Sequence, residues 1–168
     1  MKKSCVIYHG FNSIPNKFRD DMLKAAGYVV LSEYFDYQKE YELDKGKSLF
    51  ESELKKIRGV DLILGISFGG YLGYKLSKAT GIDLLLINPA LNREKSKSPV
   101  KYDIPDYSMK SDMDIFFGEF DTAVPKENTI EYLKEVGEDY TSHILEGMEH
   151  RTPENYFIKI IKESHLVK

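Results

Sequence analysis

The sequence predicts an α/β fold: three layers, α/β/α, built on a doubly wound, mainly parallel sheet of six strands. Three observations predict it. Short apolar, β-rich runs alternate with helical patterns from end to end of the 168 residues. Stretches such as Leu62-Ile63-Leu64 and Leu84-Leu85-Leu86-Ile87 are continuously apolar, which suits strands covered on both faces, as parallel strands are. Most of the helical patterns also have recognisable ends, four of them stopping at or just before a glycine.

In order along the chain, the first strand runs from Cys5 to Tyr8. A helical pattern follows with Phe18, Met22 and Ala25 or Ala26 on one face, stopping at Gly27, before a second strand from Tyr28 to Leu31. The next helical pattern carries Phe50, Leu54 and Ile57 and stops at Gly59; the third strand is Leu62 to Ile66. Phe68, Leu72, Leu76 and Ala79 form a stripe before Gly81, followed by a strand from Leu84 to Ile87. After the fifth strand, Asp114 to Phe117, a helix starting near Pro125 sets Ile130, Leu133 and Val136 on a stripe and ends at Gly137. The sixth strand is Thr141 to Leu145. The last helix opens with Thr152-Pro153-Glu154, read as a cap, a proline and a first-turn acid, and buries Phe157, Ile158 and Ile161.

Two segments escape the alternation. Ser32 to Leu43 is rich in aromatics, with Tyr34, Phe35, Tyr37 and Tyr41, and Asn88 to Asp112 mixes three prolines with charges. Both leave the carboxyl ends of strands, the edge where open α/β sheets bind ligands, and both are expected to border a binding pocket or to pack as core.

Length and composition narrow the function. The chain is expected to form one domain, 1–168, large enough for a real core. Its 24 basic and 27 acidic residues are spread along the chain, for a formal charge of -3, and leave no long basic stripe for nucleic acid. No apolar run approaches the roughly 18 residues of a membrane span, and the run after Met1-Lys2-Lys3, Cys5 to Tyr8, is far shorter than a signal-peptide core. A cytoplasmic location is expected. The single cysteine, Cys5, excludes an intrachain disulfide and a thiolate cluster, and sits in a strand as a small core residue. The composition leaves the oligomeric state open.

The chemistry begins at Gly65-Ile66-Ser67-Phe68-Gly69, between the third strand and the helix after it. A serine on a tight strand-to-helix turn crowds its neighbours, and glycines two positions to either side remove the side chains that would collide. Such a turn presents Ser67 Oγ above the sheet edge, with the Phe68 N–H at a helix start where it can hold an oxyanion. Serine needs a base, and the base a carboxylate that fixes its tautomer. The α/β-hydrolase order is serine, acid, histidine, and Asp121 and His150 supply it, each in a loop directly after a strand and on the same sheet edge as Ser67. His9, His143 and His165 compete less well: His9 reads as packing beneath the turn, His143 lies within a strand, and His165 lies near the end of the last helix. Glu119 and Glu149 read as solvated loop residues, with Glu119 as the fallback acid. A second oxyanion donor is expected from the loop His9-Gly10-Phe11, where Gly10 lets the Phe11 N–H turn toward the site.

Tyr8-His9-Gly10-Phe11, Gly65-Ile66-Ser67-Phe68-Gly69-Gly70, Asn88-Pro89-Ala90, Gly118-Glu119-Phe120-Asp121 with Val124-Pro125, and Gly147-Met148-Glu149-His150-Arg151 together resemble the small single-domain α/β-hydrolases of the YqiA-like bacterial esterase group. The resemblance covers most of the chain. It implies an esterase with Ser67 as nucleophile, Asp121 as acid, His150 as base and Phe11 and Phe68 as oxyanion donors, and Asn88-Pro89-Ala90 as floor without chemical duty. The two leading antiparallel strands of larger hydrolases and a cap domain have no counterpart. The expected partner is a small-molecule ester or thioester, and the chemistry calls for no cofactor and no metal. The alternative is a binding module that keeps the hydrolase fold without its reaction.

Overall fold

The computed structural model describes residues 2–167. Six strands, β1 (Ser4–Tyr8), β2 (Val29–Ser32), β3 (Leu62–Ile66), β4 (Asp83–Ile87), β5 (Met113–Gly118) and β6 (Thr141–Leu145), form one sheet in the order β2-β1-β3-β4-β5-β6. Every pairing is parallel, with Tyr8 opposite Gly65 and Ile66 opposite Ile87. Each predicted strand is present, its ends within a residue of expectation.

Successive side chains alternate between two apolar layers. Val6, Tyr8, Ile63, Leu84, Leu86, Ile115 and Phe117 belong to one, while Cys5, Ile7, Leu62, Leu64, Leu85, Ile87 and Phe116 belong to the other. Both layers need helices to cover them. The second is closed by α1 (Lys17–Ala25) and α6 (Glu154–Glu163) through Leu23, Phe157, Ile160 and Ile161. The first is closed by α2 (Tyr37–Asp44), α3 (Lys47–Lys56), α4 (Phe68–Thr80) and α5 (Lys126–Val136). Cys5 is fully buried in a strand, as expected, and burial pushes its thiol up.

Several local expectations are corrected. Helix α2 begins inside the segment 32–43, which carried no helical prediction, and ends one residue beyond it; it buries only Tyr37, too sparse an apolar face to read from periodicity, and its start is set by Asp36 accepting from the Lys39 N–H at 3.1 Å. Helix α5 turns Thr129 and Leu133 inward and leaves Ile130 and Val136 exposed. The Thr129 hydroxyl donates to the Pro89 carbonyl at 2.6 Å, and that bond fixes the inward face where apolar periodicity would have rotated it. In α6, Ile160 replaces Ile158 as the buried residue. The helix is capped at Pro153 with no side-chain bond, and the Thr152 hydroxyl is buried without a partner.

The segment 88–112 forms no helix or strand, yet it is packed down. Val100, Tyr102 and Ile104 are buried, the Tyr102 hydroxyl donates to the Tyr37 carbonyl at 3.0 Å, and the Met109 N–H donates to the Lys78 carbonyl at 2.9 Å. No helix among the described residues is long and apolar enough to cross a membrane.

The strand order places the site. After β1 the chain steps outward to β2, then crosses back over β1 to β3 and continues outward the other way. The loops leaving β1 and β3 therefore diverge, opening a crevice at the carboxyl edge of the sheet.

Candidate active site

Ser67 sits at that crevice, between β3 and α4, with φ 54° and ψ −117°. A positive φ is costly for a residue with a side chain, and it is held here by bonds on both sides. The Ser67 N–H donates to the Ile87 carbonyl, and the Ser67 carbonyl accepts from the N–H groups of Gly70 and Ala90, each at 3.0 Å. The flanking glycines are there because the turn is crowded. A Cβ on Gly65 would come within 2.7 Å of Gly70 Cα, and one on Gly69 within 2.2 Å of the Tyr8 carbonyl oxygen.

The side chains of Ser67, His150 and Asp121 are joined in one line. Ser67 Oγ lies 3.0 Å from His150 Nε2, and His150 Nδ1 lies 2.8 Å from Asp121 Oδ2. Asp121 Oδ1 accepts from the N–H groups of Ala123 at 3.0 Å and Val124 at 2.8 Å, which aims Oδ2 at the imidazole. A carboxylate only accepts, so the proton between Asp121 and His150 belongs on Nδ1; Nε2 is then an acceptor for the serine hydroxyl. The Asp121 side chain is 1% exposed while that of His150 is 31% exposed, so the carboxylate is shielded and the imidazole is reachable.

The remaining candidates fall where the sequence left them or farther away. The loop after β1 runs beside Ser67, with the Gly10 Cβ position 3.4 Å from Ser67 Cβ, and Gly10 to Ser13 form a turn closed by the Ser13 N–H on the Gly10 carbonyl. Phe11 lies inside that turn, and its ring meets Phe68 edge-on at 5.9 Å. Phe68 is the first residue of α4, whose leading N–H groups lack intrahelical acceptors. His9 is buried among Tyr34, Phe35 and Tyr37, accepts from the Phe35 N–H at Nε2 (2.9 Å) and has its pKa lowered by burial. His143 and His165 converge on Asp114, near the amino end of β5 and thus at the opposite sheet edge. Glu119 accepts from the Gly147 N–H, so it holds a turn and does not face the imidazole.

Asn88 is the residue whose part the sequence did not reveal. It is 1% exposed, and its Nδ2 donates to the carbonyls of Glu149 at 3.1 Å and His150 at 3.0 Å while its Oδ1 accepts from the Gly118 N–H at 2.7 Å. One side chain thereby pins the loops carrying Asp121 and His150 to each other. The signal available was an asparagine closing the apolar run of β4 on the same edge as Ser67.

A model of the uncharacterised protein family UPF0227 matches residues 5–161. The chain belongs to the UPF0227 family. No curated protein matches it significantly in sequence. Among solved structures, it is similar to a protein from Xanthomonas campestris pv. campestris described as a hydrolase of the alpha/beta superfamily, with TM-score 0.66 and 15% identity over 97% of this chain and 100% of that one. It is also similar to the esterase domain of a Rhodothermus marinus protein, with TM-score 0.65 and 14% identity over 94% of this chain and 82% of the other. A third, a Xanthomonas campestris α/β serine hydrolase without a lid, has TM-score 0.60 and 18% identity over 95% and 76%. This UPF0227 chain thus has the α/β-hydrolase fold, as its motifs led one to expect.

Proposed function

We propose that the protein is a serine esterase that hydrolyses carboxylic esters, or thioesters, through an acyl-enzyme on Ser67. The observation that carries this reading is the continuous hydrogen-bond line from Ser67 Oγ through His150 to Asp121. Ser67 Oγ attacks the carbonyl carbon while His150 Nε2 takes its proton, and the carbonyl π electrons move onto oxygen. The N–H groups of Phe11 and Phe68 hold that oxyanion; each is expected to be worth roughly 3 kcal/mol of barrier. As the oxyanion collapses, the bond to the alcohol or thiol breaks and His150 gives the leaving group its proton. Water, deprotonated by His150, then cleaves the acyl-serine by the same steps. Asp121 holds the imidazole in the required tautomer and stabilises its charged form.

A fluorophosphonate probe tests the reading directly. Phosphonylation of native protein, mapped to Ser67 by mass spectrometry and absent from Ser67→Ala, is expected, together with turnover of a short-chain p-nitrophenyl ester. Native protein that stays unlabelled and inert toward the ester would leave only the binding-module reading.

A further inference from the structure

A cavity of about 470 Å³ opens along α4 beneath the segment 91–106, within the roughly 300–1,000 Å³ range of small-molecule sites. Ser67, Asp121 and His150 do not line it. Its walls include Tyr71, Leu91, Tyr102 and Tyr132, and three cations line it: Lys75, Arg93 and Lys95, the last paired with Glu131.

Lys75 and Arg93 are placed differently. Lys75, buried at its side chain, pairs with Asp106, whose own side chain is 92% exposed. Arg93 lies over the Tyr71 ring at 4.8 Å and donates from Nη1 to the Tyr71 hydroxyl at 2.8 Å. The carboxylates of Asp103, Glu94 and Glu135 also line the cavity; all three are exposed, and Asp103 is engaged by Lys47. Among the described residues no carboxylate lies within ion-pair distance of Arg93. Its guanidinium is stacked, half-buried and left with open N–H donors, an arrangement suited to a planar or tetrahedral anion. The exposed partner of Lys75 is weakly held by comparison, because a pair facing water is screened.

We propose that this cavity is a subsite for an anionic group, a carboxylate or a phosphate, carried by the ester substrate, with Arg93 as its principal ligand and Lys75 as the second cation. The assignment rests on the esterase reading of Ser67. Two lining residues are tied to that serine through the backbone. Tyr71 stands one helical turn beyond it on α4, about 6 Å along the axis. Leu91 follows directly on Ala90, whose N–H is bonded to the Ser67 carbonyl. The tyrosine and leucine side chains lining the cavity suit a short carbon chain joining ester to anion.

A matched pair of esters tests this: the mono-p-nitrophenyl ester of adipate and p-nitrophenyl hexanoate, which share a carbon count and differ in the terminal charge. Wild type is expected to turn over the adipate ester with the lower KM. Arg93→Met should raise that KM roughly tenfold or more while leaving its kcat and both hexanoate constants near wild type, and Arg93→Lys should recover part of the loss. Calorimetric titration of adipate and of inorganic phosphate into Ser67→Ala, with and without Arg93→Met, reads the site without turnover and separates the two anion sources. An equal effect of Arg93→Met on both esters, or no millimolar binding of either anion, overturns the subsite and leaves the esterase standing. Anion binding that depends on Arg93 in a protein inert toward both esters sustains the anion site and overturns the esterase reading.

Discussion

The Asn88 side chain grips the His150 backbone carbonyl at 3.0 Å while its own carbonyl oxygen holds the Gly118 N–H at 2.7 Å. Asp121 follows Gly118 by one turn, so this asparagine couples the positions of the Asp121 carboxylate and the His150 imidazole through the backbone. Its removal orphans buried groups on two loops together. Asn88→Ala is expected to cost about 1–3 kcal/mol of stability and to lower kcat roughly a hundredfold with little change in KM, because a displacement on the order of 1 Å disrupts the line to Ser67. Denaturant melts and steady-state kinetics on a p-nitrophenyl ester check it; wild-type kcat would remove the positioning role.

Asp121→Asn keeps the shape of the acid but can offer an amide N–H to His150 Nδ1, which favours the tautomer protonated on Nε2. Such a histidine cannot accept from Ser67. Activity is expected to fall by roughly four orders of magnitude, with the melting temperature changed far less.

Ser67 carries backbone strain at φ 54°. Both Ser67→Ala and Ser67→Gly should be inactive, but only glycine relaxes the turn, a relief of about 1 kcal/mol. Ser67→Gly is therefore expected to melt above Ser67→Ala. The reverse order would mean that the turn stores no strain.

Gly69 has no space to grow. A methyl there would lie 2.2 Å from the Tyr8 carbonyl oxygen and 2.4 Å from that of His9, both backbone atoms of the central sheet edge. Gly69→Ala is expected to destabilise the fold by about 3 kcal/mol or more, since α4 must back away from β1 along its first turn. Equilibrium unfolding of the variant measures this directly.

His9 gives the stability a pH dependence of known sign. Burial lowers its pKa from 6.5, so below pH 6.5 the unfolded chain takes up a proton that the folded one refuses. The associated stability is complete above 6.5 and declines as pH falls from there toward the depressed folded value. His9→Gln should flatten the melting temperature across that window. A variant with the wild-type slope would assign the acid sensitivity to other groups.

The strands, the central helix and the three side chains that the structure joins in a hydrogen-bonded line, Ser67, His150 and Asp121, were legible from local pattern. Continuous apolar runs require burial on both faces, and Gly65, Ser67 and Gly69 mark a crowded turn whatever surrounds it. Asp121 and His150 stood out because each directly follows a strand, and parallel strands deliver their ends to one edge. Helix α2 and the inward face of α5 were not legible, because Tyr37 alone and a hydroxyl on Pro89 orient them in place of an apolar stripe.

By itself the sequence determined the class of fold, the order of its elements and which side chains could meet, since those follow from local periodicity and from the direction of parallel strands. Only the tertiary structure decided that Asn88 locks the two loops together, that Asp114 draws His143 and His165 to the far edge, and that Arg93, beside a cavity, has no carboxylate within ion-pair distance among the described residues. Hydrogen bonds and charges depend on separations of a few ångströms between residues distant in the chain, and no one-dimensional pattern encodes those separations.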